Sequence, residues 1–446
     1  MVALMRAVFF LHLSFGAVSA QDEVLEIWQR ERVRSAERSA LHPLVDMQDY
    51  VHYAQLNNPD VEAALWRWKA AIDGVMAARS WADPHVAVGH FLRSVETRDG
   101  PQEQRFSVAQ AIPWPSVLDA RSRVALAAAD AERWRYEHLR ADVAVSVIEA
   151  YLDYYYLERA IEVTERSMQL VQHVEEVLRM RYSSGEQGHS DLINVQVELG
   201  LMEDQLSSLR DGRLPAASLL NALVGRQQDA AVTVLDSPQV AQLEVDSLRA
   251  WALRDNPHIQ MLRAAVMQAQ GAVDLSEREG YPDLTLGVDY VRTGERAAAS
   301  GPSGRDPLAV MATVKLPVWR AGYRGREKAA ISRYQAARSA LQNGEYRLLA
   351  ELEGALFGRR ESMRKMALYG GDLLTKAEQA FSVMQQSFTA GRSGFFELVS
   401  AQRTLLECQL AHESASVERV RHEARIQRLV GRRMPSRSAI ERGFAP

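Results

Sequence analysis

Between Ser116 and Tyr182 the chain contains neither proline nor glycine across roughly 65 residues, and as one helix such a run would be about 100 Å long. Globular helices are about three turns long, so a compact core does not house this one. A run of the same length recurs from Ala321 to Phe388, with glycines that include Gly344, Gly354, Gly358 and the pair Gly370-Gly371. Each run ends at a Gly-containing turn, 183–189 or 390–394, and each turn leads into a returning helical stretch, 190–224 or 395–430. Helices this long bury their apolar stripes against partner helices, as in a coiled coil or a helical barrel.

The recurrence extends to the whole chain. Asn58-Pro59 returns as Asn256-Pro257, each followed by an Ala-rich helical run. Asp83-Pro84-His85-Val86-Ala87-Val88-Gly89 returns as Tyr281-Pro282-Asp283-Leu284-Thr285-Leu286-Gly287, with the same Pro-to-Gly spacing. Ile112-Pro113 returns as Leu316-Pro317, and Leu223-Val224-Gly225-Arg226 returns unchanged as Leu429-Val430-Gly431-Arg432. A period near 200 residues is too long for a solenoid and indicates a duplicated domain whose halves pack together. Repeat 1 spans 48–230 and repeat 2 spans 246–433, with an arm at 21–47 and a tail at 434–446.

Each half also holds two segments that switch from the helical period to alternation. Strands are expected at about 84–94 and 104–112, and again at about 282–292 and 308–316. In the first pair Val86, Val88 and Leu92 oppose Ala87, Gly89 and Phe91, while Phe106, Val108 and Ile112 oppose Ser107, Ala109 and Ala111. The second pair divides more cleanly: Leu284, Leu286, Val288 and Tyr290 against Thr285, Gly287 and Asp289, then Val310, Ala312, Val314 and Leu316 against Met311, Thr313 and Lys315. Bulky apolar residues on one face and small or polar ones on the other suit lipid outside and water inside. Each strand has the length that crosses a bilayer at a tilt. His90 and Gln110 fall on the apolar face, a position that suits them only near its rims. Four strands cannot close a barrel alone, but several chains can.

Arg6 precedes an apolar stretch, and Ala17-Val18-Ser19-Ala20 offers small residues for cleavage, so 1–20 reads as a signal peptide. The single cysteine, Cys408, rules out an intrachain disulfide and reads as a small buried residue. Past the signal no run of 18 apolar residues exists to make a transmembrane helix. The formal net charge is −4 with both signs interspersed, which argues against nucleic acid as a partner. No phosphate-binding glycine loop, His-Glu-x-x-His or nucleophile elbow occurs, so no catalytic, cofactor or metal site is expected. His412 and His422 lie ten residues apart on one helical stretch and do not form a metal pair. Tyr151, Tyr154, Tyr155 and Tyr156 read as packing between helices.

At Asn58-Pro59 and Asn256-Pro257, Asp83-Pro84 and Pro282-Asp283, Gln110-Ala111-Ile112-Pro113-Trp114-Pro115, Arg181-Tyr182-Ser183-Ser184-Gly185 and Ser387-Phe388-Thr389-Ala390-Gly391, the chain resembles TolC-type outer-membrane efflux proteins over about residues 48–433. Asp83-Pro84 and Ile112-Pro113-Trp114-Pro115 look most like the CzcC-like branch, associated with heavy-metal cation export. The resemblance implies a mainly α protein with a membrane β-barrel portion, built from duplicated helix–strand–strand–helix halves. It implies a homotrimer whose 12-stranded barrel, four strands per chain, lies in the outer-membrane lipid of a Gram-negative bacterium and continues as a long periplasmic α-helical barrel. A periplasmic membrane-fusion adaptor and an inner-membrane resistance-nodulation-division pump are the implied partners, with no cofactor. Many members of the metal branch carry a lipidated N-terminal Cys, and this chain begins its mature part with Gln21. The rival expectation is a secreted periplasmic coiled-coil structural or adaptor protein without a barrel.

Within that frame Gly185, Gly188, Gly391, Arg392 and Gly394 form the two periplasmic tips that dock the adaptor, the glycines reversing the helices through positive φ. Glu397, with Asp191 at the equivalent place in repeat 1, lies beside the tip; three copies of Glu397 make an acidic ring at the pore entrance. Relatives often carry a second acid one turn on, where this chain has Ser400, with Asn194 in repeat 1. Asp191 also suits a helix start, where the dipole favours an acid. Trp114 and Trp319 follow strand ends beside proline, as amphipathic rings at a membrane–water boundary do.

Overall fold

The computed structural model describes residues 25–33, 44, 46–185, 189–234, 247–295 and 304–432. The expected signal peptide, most of the arm, the tail and Gly188 lie outside them. Helix α1 (25–33) precedes α2 (Met47–Asn57) and α3 (Pro59–Arg79); then come β1 (His85–His90), β2 (Glu96–Thr97), β3 (Gly100–Ile112) and α4 (Pro115–Ser183). Helices α5 (His189–Asp211) and α6 (Arg213–Val224) end the first half. The second half repeats the order as α7 (Leu248–Asp255), α8 (Pro257–Arg278), β4 (Asp283–Thr293), β5 (Leu308–Lys315), α9 (Arg320–Ala367), a π-helical turn (Leu368–Leu373), α10 (Leu374–Thr389) and α11 (Phe395–Val430).

The chain divides into two compact units that cut across the repeats. One contains Trp66–Arg133 and Met261–Gln342, and therefore all the strands; the other contains Glu31–Leu65, Trp134–Gln260 and Asn343–Pro446. In the first unit β1, β3, β4 and β5 form an antiparallel sheet in that order. The register sets Val86 against Val108 and Val88 against Phe106. It continues with Val108 against Val288 and Ile112 against Leu284, then Leu286 against Ala312 and Val288 against Val310. The expected apolar positions of both repeats therefore share one face.

Three boundaries differ from the sequence expectation. β1 stops at His90, and Leu92 is 95% exposed. β3 starts at Gly100, whose φ of 136° only glycine adopts readily, and the chain before it folds back as β2. The expected single helix 190–224 breaks at Gly212 into α5 and α6, because Pro215 has no N–H to continue the ladder to Asp211.

In the second unit the repeated motifs turn out to be partners. Asn58 caps α3 by accepting from the Asp60 and Val61 amides, and its Nδ2 donates to the Leu223 carbonyl at 2.8 Å. Asn256 does the same for α8, accepting from His258 and Ile259 and donating to Leu429 at 2.9 Å. Gly225 and Gly431 end α6 and α11 in the left-handed region at φ 78° and 74°. A Cβ on Gly225 would meet the Asn57 carbonyl, and one on Gly431 the Asp255 carbonyl. Each Asn-Pro start is thus clamped to the Leu-Val-Gly-Arg stop of its own repeat.

Helix α11 runs antiparallel to α4 along four ion pairs: Arg428 with Asp142, Arg425 with Glu149, Arg421 with Asp153, and Glu413 with Arg159. Against α9 and the π turn, the imidazoles of His422 and His412 occupy the places where Cβ atoms of Gly358 and Gly370 would stand. The expected continuous helix 321–388 contains a π turn, Leu368–Leu373, around Gly370-Gly371. Tyr151 is buried and packs on Tyr50 at 5.5 Å, and Tyr155 is buried too. The buried Cys408 packs with Ala377 and Leu405.

Candidate conduit face and hairpin tips

The sheet places its apolar side chains on a surface that nothing among the described residues covers. Val310 is 79% exposed, Val86 70% and Val88 69%, far more than a soluble sheet leaves in one contiguous band. Phe106 and Tyr290, cross-strand neighbours on this face, bring their rings to 6.3 Å. The polar exceptions stand at its ends: His90 pairs with Gln104 at one, and Gln110 at the other donates to the Ala82 carbonyl at 2.8 Å. On the opposite face stand Ala109, Gly287, Ser107 and Asp289, the last buried and ion-paired with Arg105. An added Cβ on Gly287 would come within 3.3 Å of the Val108 carbonyl, so a larger residue there needs the neighbouring strand to give by a few tenths of an ångström. β1 and β5 lie at the two ends of the strand order, each with a free edge among the described residues. Trp114 donates its indole N–H to the Pro282 carbonyl, and Trp319 is 85% exposed. No helix among the described residues is long and apolar enough to cross a membrane.

In the second unit the two hairpins share one apolar cluster. Val171, Leu178, Val195 and Met202 of the first pack with Phe388, Phe395, Leu398 and Leu406 of the second. Gly185 and Gly391 have φ of 79° and 69°, and an added Cβ at either would meet nothing within 4 Å, so glycine is required there by backbone alone. Arg392 closes the second turn with its amide, which donates to the Ser387 carbonyl at 2.8 Å, while its side chain is exposed. Gly394 departs from expectation: it is the N-cap of α11 at φ −81° and ψ 165°, an extended conformation open to any residue. The reversal is complete before it, through Gly391.

Glu397 is exposed, and its Oε2 accepts from the Gly394 amide at 2.9 Å, so it caps α11. Ser400 is exposed one turn on, and Asp191 lies half-buried in the first turn of α5. Two arginines that sequence reasoning passed over join the hairpins. Arg181, from the end of α4, donates to the Thr389 carbonyl at 2.8 Å and lies 5.0 Å over the Phe388 ring. Arg403 of α11 forms an ion pair with the buried Glu198 of α5. Nothing in the sequence marks either, because each partner sits about 200 residues away. Among the described residues no group of three or more His, Cys, Asp or Glu could hold a metal ion.

A sheet with one lipid-compatible face, carried by helical hairpins that reverse at glycine turns, defines the class of outer-membrane efflux channels. The profile of the outer membrane efflux protein family matches residues 50–226 and 248–432, one stretch for each repeat, and the chain belongs to that family. Its place is the outer membrane, which sets aside a barrel-less periplasmic protein. The chain is 22% identical over 409 residues to the cobalt-zinc-cadmium resistance protein CzcC of Cupriavidus metallidurans, covering 89% of this chain and 92% of the relative. Its fold is similar to that of the outer membrane protein VceC from Vibrio cholerae, with a TM-score of 0.73, 19% identity, and 86% and 96% of the two chains covered. CusC is similar too, at a TM-score of 0.75 and 13% identity, over 89% of this chain and 96% of that one.

Proposed function

We propose that the chain is the passive exit duct of a tripartite efflux system, a homotrimer that conducts substrates handed over by an inner-membrane pump of the resistance-nodulation-division type through a periplasmic adaptor. The observation that carries this reading is the four-stranded sheet with one exposed apolar face and two free edges. Free strand edges are tolerated in lipid only when they pair, and three copies supply the 12 strands of a closed barrel. Trp114 and Trp319 then mark the lower membrane boundary, with His90 and Gln110 at the rims. Heavy-metal cations are the proposed cargo; likeness to CzcC over most of both chains supports this.

The tips at Gly185–Gly188 and Gly391–Gly394, with Arg392, are the proposed adaptor contact, and Glu397, Ser400 and Asp191 the pore entrance. Selectivity is proposed to rest mostly with the pump. The test is topological. A cysteine placed at Ser300 (outside the described residues) is expected to react with a membrane-impermeant maleimide in intact cells, and one at Gly188 is not. The reverse pattern, or release of the mature protein as a detergent-free soluble monomer, overturns the reading.

A further inference from the structure

The Asn-Pro motif differs between the repeats at one position that bears on how the second clamp holds. Repeat 1 reads Asn58-Pro59-Asp60 and places an acid in the first turn of α3, where the helix dipole favours negative charge. Repeat 2 reads Asn256-Pro257-His258, and α8 has no acid in its first turn. His258 meets His138 of α4 with ring centroids 5.0 Å apart, and its Nδ1 is buried without a hydrogen-bond partner.

The charged groups acting on His138, besides His258 itself, are Asp142 of α4, Arg428 of α11 and Glu351 of α9. Arg428 binds Asp142 at 2.8 Å and reaches Glu351 at 3.7 Å, while Asp142 lies 3.5 Å from the His138 Nε2. With both imidazoles neutral the cluster holds two carboxylates against one guanidinium, so a first proton balances it. A second proton would set two imidazolium rings in contact, one of them at a helix N-terminus whose dipole opposes it. Arg428 and Leu429, the residues whose carbonyls Asn256 grips, sit in the same place.

We propose that the His138–His258 pair is an acid-sensitive joint: uptake of the second proton releases the start of α8 from the end of α11, while the first repeat's clamp, with Asp60, stays shut. This device is independent of the cargo and of the adaptor. Burial holds His138 below its ordinary value of 6.5, in keeping with a closed joint that resists protonation. The closed form therefore binds fewer protons than the open one below about pH 6.5, and stability present above that pH is lost as the pH falls.

Hydrogen exchange read by mass spectrometry on the full-length protein in detergent tests this at about pH 7.5 and about pH 5, on either side of the imidazole range. After correction for intrinsic rates, segments 256–260 and 424–431 are expected to exchange about tenfold faster at the lower pH, a factor that corresponds to one pKa unit. His258→Asn and His138→Gln should each abolish that acceleration, and segments 58–62 and 219–225 of the first clamp should show none in any protein. Should one variant be open already at the higher pH, His258→Asp, which copies the first repeat, takes its place. Equal acceleration in the variants, or none in the unaltered protein, overturns the proposal.

Discussion

Two glycines turn the hairpin tips through positive φ, and one glutamate beside them caps a helix. Gly185 and Gly391 were legible in the sequence as helix reversals, and both adopt positive φ. Gly394 looked equivalent and is not, because spacing alone cannot tell a turn glycine from an N-cap glycine. Gly391→Val is expected to cost about 1–2 kcal/mol locally, from the Cβ clash in the left-handed region. It should abolish export while leaving assembly intact. Gly394→Ala should export normally, since its nearest neighbour to an added Cβ is Glu397 at 4.0 Å. Resistance assays beside native electrophoresis check both. Glu397→Gln is informative because glutamine at this place still accepts the cap hydrogen bond, so only the charge is lost. If Glu397 rings the pore, the reconstituted channel becomes less cation-selective, and Ser400→Asp makes it more so; unchanged selectivity in both leaves Glu397 as a helix cap alone.

At the scale of elements, both partners of each clamp were visible as repeated motifs, but their contact was not, since a hydrogen bond across some 165 residues leaves no local period. Asn58→Ala and Asn256→Ala each remove a cap and a link to the opposing helix end, and each is expected to cost about 1–3 kcal/mol in denaturant unfolding. A loss confined to one of the two would show that the repeats no longer share the device. The histidine seam was hidden for a similar reason. His412 and His422 pack on Gly370 and Gly358, and the π turn that accommodates Gly370 has no sequence marker beyond a glycine pair. Gly370→Ala should destabilise the seam, and His412→Ala in the same chain should relieve the clash.

For the whole molecule, alternation made the apolar face legible because side chains on a strand change sides at every residue, so polarity reports the face directly. The assembly is less legible, since a free strand edge says that pairing is needed without saying with how many copies. Val310→Arg, on the exposed apolar face, is expected to weaken barrel insertion by about 2–4 kcal/mol if it sits near the bilayer midplane. Ser107→Asn on the opposite face should insert normally. Heat-modifiable mobility on gels of outer-membrane fractions reads the difference.

The clamps carry one more consequence. Asn58 grips Leu223 and Asn256 grips Leu429, so every hydrogen bond of each device lies within its own repeat. The halves hold each other elsewhere, through the β3–β4 backbone ladder and along the ion pairs from Arg428–Asp142 to Glu413–Arg159. The peptide joining the halves is therefore expected to be dispensable for recognition between them. Two separately translated polypeptides, each exported with its own signal, should find one another and restore resistance, as two genes could have done before they were fused.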